Sequence, residues 1–334
     1  MGGKILVGSC SWADKTLIDS KWYPPEAKSP EDRLRYYAEN FPIVEVDSTY
    51  YAIPLARNGE IWAERTPPQF TFDVKSYALF TLHGAAVQML PKEIKAALPD
   101  EQRAKKNIYY KDLPAEIGEE LWRRFLEVLL PMDSAGKLGV VLFQFPPWFG
   151  PRAENRDYIL EAKHRLGQYR LAVEFRNRAW MESQSDQERT LAFLKEHGVT
   201  YVCVDEPQGF KTSVPPVVAA TTSLAVLRMH GHNAETWTKR VETAAERFDY
   251  LYRADELSAW VPRIERLAED AREVHVLMNN CHRDYSVRNA HEISDLLGVS
   301  GQSTVDSPTS GSPALDSEQR PHDKERQEDQ QRLL

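Results

Sequence analysis

Cysteine is scarce in this chain: Cys10, Cys203 and Cys281 are the only three among 334 residues. They lie far apart and form no CxxC pair, so neither a disulfide framework nor a structural zinc knuckle is indicated. Long apolar runs are missing too, and none approaches the roughly 20 residues that cross a bilayer. The opening MGGKILVGSC lacks the apolar core of a signal peptide, so a cytoplasmic protein without a membrane role is expected. Positive charge is not in excess: Lys plus Arg number 42 against 50 for Asp plus Glu. The resulting net charge of −8 provides no global attraction to nucleic acid or an anionic membrane. No HExxH spacing occurs, and no metal ligand set is expected. Internal repeats of 20 to 50 residues are absent as well.

At 42% hydrophobic and 28% charged residues, the composition is that of a soluble globular protein with a sizeable core. The final stretch, residues 300–334, is rich in Ser, Pro, Gln and charge and almost without large apolar residues. Such a segment buries too little to offset its ordering entropy, so a disordered tail is expected there, with a helical stretch near 320–333 as the one exception. Residues 1–299 are left for a single folded domain, a size that suits a barrel of about 250 residues carrying an insertion.

Eight short apolar runs recur between turn residues: KILVG (4–8), IVEVD (43–47), FTFDVK (70–75), VVLFQF (140–145), LAVEF (171–175), TYVCVD (200–205), LAVLRMH (224–230) and VHVLMN (274–279). Their β-branched, nearly continuous apolarity is that of parallel strands covered on both faces. Amphipathic segments separate most of them. One opens with Ser29 before Pro30, an N-cap and N1 signature, and carries Leu34, Tyr37 and Phe41 on one face. The alternation predicts an α/β fold, a (β/α)8 TIM barrel. Two connections are long: residues 83–113 after the third strand, the expected insertion, and the Pro-rich 206–223 after the sixth. Both follow strand C-termini and are candidate lids.

Side chains two apart in a strand face the same way. Glu45 and Asp47, Asp73 and Lys75, Glu174 and Arg176, and Arg228 and His230 are such pairs, each with an apolar residue between. Gln144, Asp205, and Asn279 or Asn280 add one polar group at the end of three further strands. Charge and amide groups from seven strands therefore gather at the C-terminal mouth of one cylinder. Five carboxylates (Glu45, Asp47, Asp73, Glu174, Asp205) meet three cations (Lys75, Arg176, Arg228). Two readings follow: a structural ion-pair network that fills the lumen, or a polar site with acid/base groups beside cations that bind an anion.

These residues stand in motifs that resemble a known family. GSCSW, WYPPEAKSPEDRLRYYAENFPIVEVDSTYYAIP, WAERTPPQFTFDVK, LGVVLFQFPPWF, RLAVEFRNRAW, VDEP, LRMHGHN and MNNCHRDYSVRNA, spanning roughly residues 4–298 in order, are similar to the YecE-like proteins, the family known as domain of unknown function 72. The resemblance implies a barrel of this type and no agreed activity. The family's polar motifs fall on Glu45, Asp47, Thr49, Tyr51, Lys75, Gln144, Glu174, Arg176, Asp205, Arg228, His230, Asn279 and Asn280. His232 stands where the family commonly has Arg.

The chemistry expected is acid/base work on a small polar or phosphorylated ligand, by a hydrolase or isomerase, with Glu45 and Glu174 as candidate acid and base. Lys75, Arg176 and Arg228 are expected to bind anionic groups, and Gln144, Asn279 and Asn280 to orient the ligand, with Asp47, Asp205, His230, Tyr51 and Trp12 around it. A charged structural role outweighs a Schiff-base role for Lys75, and Cys10 has no base beside it in sequence. No cofactor is specified. Alternatives are a nucleic-acid-binding or nucleic-acid-processing barrel, with KKNIYYK (105–111) contacting the strand, and a non-catalytic ligand sensor.

Overall fold

A computed structural model describes residues 2–241 and 243–299. The expected tail, residues 300–334, lies outside the described residues. All eight apolar runs become strands, and they close into one parallel barrel in the order β1-β10-β9-β8-β7-β6-β3-β2. The strands are β1 (Lys4–Ser9), β2 (Ile43–Val46), β3 (Thr71–Lys75), β6 (Leu138–Gln144), β7 (Leu171–Glu174), β8 (Thr200–Asp205), β9 (Leu224–Met229) and β10 (Glu273–Met278). A two-stranded ribbon, β4 (Ala85–Ala86) and β5 (Asn107–Ile108), stands apart.

Seven helices cover the barrel: α2 (Pro30–Asn40), α3 (Ala56–Glu64), α6 (Ala115–Ser134), α7 (Ala153–Leu166), α8 (Gln184–Glu196), α10 (Ala254–Asp270) and α11 (Tyr285–Leu296). Four shorter ones, α1 (Lys15–Asp19), α4 (Lys92–Ala97), α5 (Asp100–Arg103) and α9 (Ala244–Arg247), lie in the connections. The N-terminus of α2 forms as its sequence predicts. Ser29 caps it, Pro30 takes the first turn, and Asp32 completes a capping box. Leu34 and Tyr37 point into the core, and the Tyr37 hydroxyl reaches between β1 and β2, accepting from the Ser9 amide at 2.7 Å and donating to Ile43 O at 3.1 Å.

Helix α3 is not evident in the sequence, because ARNGEIWAE is short and has Gly59 in its middle. That glycine is where α3 meets α6: a Cβ there would stand 2.2 Å from Val128 O.

No helix follows β8. Residues 206–223 instead run back along the outside of that strand, where Thr221 Oγ1 accepts from Tyr201 N at 2.8 Å and donates to Val199 O at 2.7 Å. Proline explains the substitution, since Pro207, Pro215 and Pro216 interrupt any helical ladder. The other long connection is a small folded unit: the β4–β5 ribbon with α4 and α5 buries Val87, Leu90, Ile94, Leu98 and Ile108.

Candidate functional site

Within the barrel, polar side chains occupy two depths below the mouth. The lower pair is Asp73 on β3 and His275 on β10, both fully buried, with His275 Nδ1 at 2.8 Å from Asp73 Oδ2. Gly139 makes room for it. A Cβ there would stand 2.1 Å from Asp73 Oδ1, the oxygen that also accepts from Val140 N at 2.9 Å.

Above this pair runs a continuous chain of ions. Arg228 on β9 donates from Nε and Nη2 to the two oxygens of Glu45 on β2, at 2.8 and 2.7 Å, and from Nη1 to Glu174 Oε2 on β7 at 2.5 Å. Glu174 Oε1 accepts from Arg176 Nε at 2.6 Å, and Arg176 Nη1 donates to Glu206 Oε2 at 2.8 Å. The second oxygen of Glu206 takes the Val214 amide at 2.7 Å. Both oxygens of each carboxylate are thus engaged, and Glu45 and Glu174 are 0% exposed. His230 completes the layer, with Nδ1 at 2.7 Å from Asn279 Nδ2 and Nε2 at 3.3 Å from Glu174 Oε1.

Over this layer a cavity of about 430 Å³ opens at the C-terminal mouth. Its cations are Lys75, Arg176 and Arg247, its rings are Tyr50, Tyr51, Trp237 and Phe248, and Gln144, His83, Thr212 and Thr238 complete the polar lining. Among the described residues no carboxylate lines it. Arg176 lies over Trp237 at 4.9 Å and Lys75 Nζ over Tyr50 at 4.8 Å. A second groove of about 510 Å³, lined by Leu82, Tyr109, Tyr110, Lys111 and Trp148, lies beside it, and the His83 and Trp148 rings touch across the divide with centroids 5.9 Å apart.

This architecture has known relatives. The sequence profile of a family described as protein of unknown function, DUF72, matches residues 6–314. The chain belongs to the DUF72 family. It is 35% identical over 299 residues to the UPF0759 protein YunF of Bacillus subtilis (strain 168), covering 88% of this chain and 95% of that protein. A DUF72 family protein from Enterococcus faecalis V583 superposes with a TM-score of 0.70 at 26% identity, over 93% of this chain and 100% of that one. Another, from Thermotoga maritima MSB8, gives 0.67 at 28% identity, over 88% and 99%.

In this DUF72 barrel, Glu45, Gln144, Glu174, Arg176, Arg228, His230 and Asn279 meet in one contact network, and Lys75 and Tyr51 reach the cavity above it. Four expected members lie elsewhere. Asp205 pairs in register with Met229, on the outer side of the sheet, where its Oδ2 meets Tyr252 OH at 2.7 Å and His232 Nε2 at 3.0 Å. Val204 is the register partner of Arg228, so the inward carboxylate two residues on is Glu206. Asn280 also turns outward, donating to Tyr250 O at 2.9 Å and Asn289 Oδ1 at 2.8 Å. Trp12 is buried edge-on against Trp62 and borders, with Asp47, Arg57 and Arg65, a separate cleft of about 250 Å³.

Glu206 was legible from the same two-residue rule that was applied one position too early. Arg247 and Phe248 were not, because they come from a connection rather than a strand. His230 and His232, though two apart, part company at Gly231, whose φ of +82° breaks the alternation. Among the described residues no group of His, Cys, Asp and Glu is arranged to hold a metal ion. The described helices include none long and apolar enough to cross a membrane.

Proton affinities follow from these contacts. Burial alone would raise Glu174, but Arg228 and Arg176 hold it well below the ordinary carboxylate value. Burial and then Arg176 depress His230 to about 3, so it is neutral at pH 7. Glu206 is pushed up to about 8 by burial against the opposing pull of Arg176. Asp47 is raised to about 7, by burial foremost, with Glu45 adding to it and Lys75 opposing. Lys75 is lowered, by burial first and Arg228 second. Burial also drives the Cys10 thiol well above its usual value, away from nucleophilic character.

Proposed function

We propose that this DUF72 barrel is an enzyme that binds a small anionic molecule with a planar ring at its mouth and acts on it by acid/base chemistry. One observation carries the reading: among the described residues the cavity is lined by three cations and four rings and by no carboxylate, while the carboxylates below are consumed by guanidiniums. A cationic surface with aromatic walls, on which Lys75 and Arg247 make no ion pair among the described residues, suits an anionic ring on both counts.

In this reading Glu45 and Glu174 serve indirectly. They fix Arg228 and Arg176, so that Arg176, held at Nε by Glu174, at Nη1 by Glu206 and at Nη2 by His230, lines the cavity without reorganising. Proton transfer falls to Lys75, whose amine lines the cavity and whose proton affinity is lowered by burial first and Arg228 second.

Calorimetric titration with phenyl phosphate, benzenesulfonate and phenol tests the binding reading. The two anions should bind at least about tenfold more tightly than phenol, the worth of one charge-assisted contact, and Arg247→Ala should weaken only the anions. Equal affinity for phenol, or no binding of either anion, overturns it.

A second reading is favoured by the neighbouring groove, where Trp148 is 65% and Tyr109 43% exposed beside Lys111. Exposed rings next to a cation are a stacking platform for single-stranded nucleic acid. Binding of a labelled thymidine oligonucleotide at low salt, weakening steeply as salt rises, supports it, and no binding at low salt removes it.

A further inference from the structure

The ion chain satisfies every one of its carboxylates and leaves one cation out. Arg228 takes both oxygens of Glu45, Arg228 and Arg176 share Glu174, and Glu206 is held by Arg176 and the Val214 amide. Lys75, at the end of β3, faces the same layer, yet among the described residues its Nζ makes no ion pair, and the contact recorded for it is the Tyr50 ring at 4.8 Å. A lysine placed only for neutralisation would be expected to sit on a carboxylate, as its two arginine neighbours do.

The backbone that carries it is firmly held. Thr49 Oγ1 donates to the Lys75 backbone carbonyl at 2.5 Å, the next residue donates from Ser76 N to Leu142 O at 2.8 Å, and Lys75 lines the mouth cavity. An amine on so fixed a backbone, at the wall of a ligand cavity, is placed to act as a nucleophile.

We propose that Lys75 is the nucleophilic amine of this site and condenses with the carbonyl carbon of an anionic aldehyde or ketone. The proposal rests on the reading of the mouth as an anion site and names the reactive group its ligand carries. Arg176 and Arg247 hold the anionic end, and Tyr50 and Trp237 flank the ring. Gln144 turns Oε1 toward Arg228 Nη1 at 3.4 Å, which leaves its amide N–H groups as donors for the carbonyl oxygen.

In the reaction the unprotonated amine adds to the carbonyl carbon, forming the C–N bond while the C=O π pair moves to oxygen. The proton lost from nitrogen passes to that oxygen through water, giving a carbinolamine. A second proton from water lets the hydroxyl leave as water while the nitrogen lone pair closes the C=N bond, and the proton left on the iminium nitrogen returns to water. The sum is amine plus carbonyl to imine plus water, with no oxidant or reductant.

The groups around Lys75 favour its reactive form on balance. Burial and Arg228 oppose its charge, Glu45, Glu174 and Asp47 support it, and the net effect lowers its proton affinity. Tyr50 attracts the charged form through its ring face at 4.8 Å, and a ligand that covers that ring removes the attraction.

The test uses 4-carboxybenzaldehyde and benzaldehyde as probes, with cyanoborohydride added to reduce any imine to a stable secondary amine and peptide mass spectrometry to locate it. The full chain should be labelled at Lys75 ahead of the exposed lysines. The carboxylate probe should label about tenfold faster than the neutral one, and phenyl phosphate should protect. Lys75→Arg, which keeps the charge and should keep the fold, must lose this label. Labelling spread over surface lysines with Lys75 unmodified overturns the proposal. If phenyl phosphate binds and Lys75 stays unlabelled, the amine fails while the anion site stands. If neither occurs, the anion site fails as well.

Discussion

Arg228 and Glu45 face each other across the barrel from β9 and β2, joined by two parallel hydrogen bonds of 2.8 and 2.7 Å in a space with no solvent access. A bidentate pair of this kind is strong only while both partners remain, because each charge has been stripped of water.

Removing one partner should therefore cost more than removing both. Arg228→Met leaves Glu45 and one oxygen of Glu174 unpaired, and a loss of about 3–5 kcal/mol is expected in urea unfolding. Adding Glu45→Met to that variant removes the stranded charge, while Glu174 keeps Arg176 as a partner. The double variant should lose clearly less than the sum of the two single ones. Strict additivity would mean that the pair is not the coupled unit the distances describe.

The Asp73–His275 pair below makes stability depend on pH in the alkaline range. Burial opposes the imidazolium, but Asp73 overrides it and raises His275 to about 9, above the ordinary value of about 6.5 in the unfolded chain. A histidine raised on folding contributes stability that is fully present below the unfolded value and is lost as pH rises through the folded one. Stability should fall by a few kcal/mol between about pH 6.5 and 9. In His275→Gln the slope between about pH 8 and 9 should be largely gone, while a shallower one persists up to about 8, where Glu206 titrates with the same sign. An unchanged slope in thermal melts across this range would assign it to other groups.

The eight strands were legible because each is a short β-branched run with both faces buried, a pattern that survives without knowledge of neighbours. Strand ends were less so. The two-residue rule placed Glu45, Glu174, Arg228 and His230 inside the barrel, but it does not say at which residue a run begins to count. The rule thus points to Asp205 where the inward carboxylate is Glu206, and it does not separate Asn280 from Asn279. His275 is hidden because VHVLMN reads as apolar, and its partner Asp73 comes from a strand 202 residues away. Arg247 and Phe248 reach the mouth from the connection after β9, where no periodicity marks a residue's direction.

Gly59 gives a packing test of a helix the sequence concealed. Alanine in a helix interior gains about 1 kcal/mol over glycine from propensity. Here the added Cβ would lie 2.2 Å from the carbonyl oxygen of Val128, a backbone atom of α6 that moves only with its helix. Overpacking of this kind costs about 1–3 kcal/mol, so the clash should outweigh the gain. Gly59→Ala should lower the urea midpoint, and a raised midpoint would mean that α3 and α6 separate easily.

Asp47 is the group whose charge should set how anion binding varies near neutral pH. Its carboxyl is held at about 7 by burial, while His230 below stays neutral because burial and Arg176 keep it near 3. Raising the pH through 7 places a new negative charge beside Lys75 and opposes any anion at the mouth. Benzenesulfonate suits the measurement, since it keeps one charge throughout and its own titration does not interfere. Its affinity should fall between about pH 6 and 8, by a few-fold for a partly screened charge. In Asp47→Asn the affinity should stay at the low-pH level across that range, and in His230→Gln the fall should persist. A fall that survives Asp47→Asn would pass the role to Glu206, the other carboxylate raised into this range, to about 8.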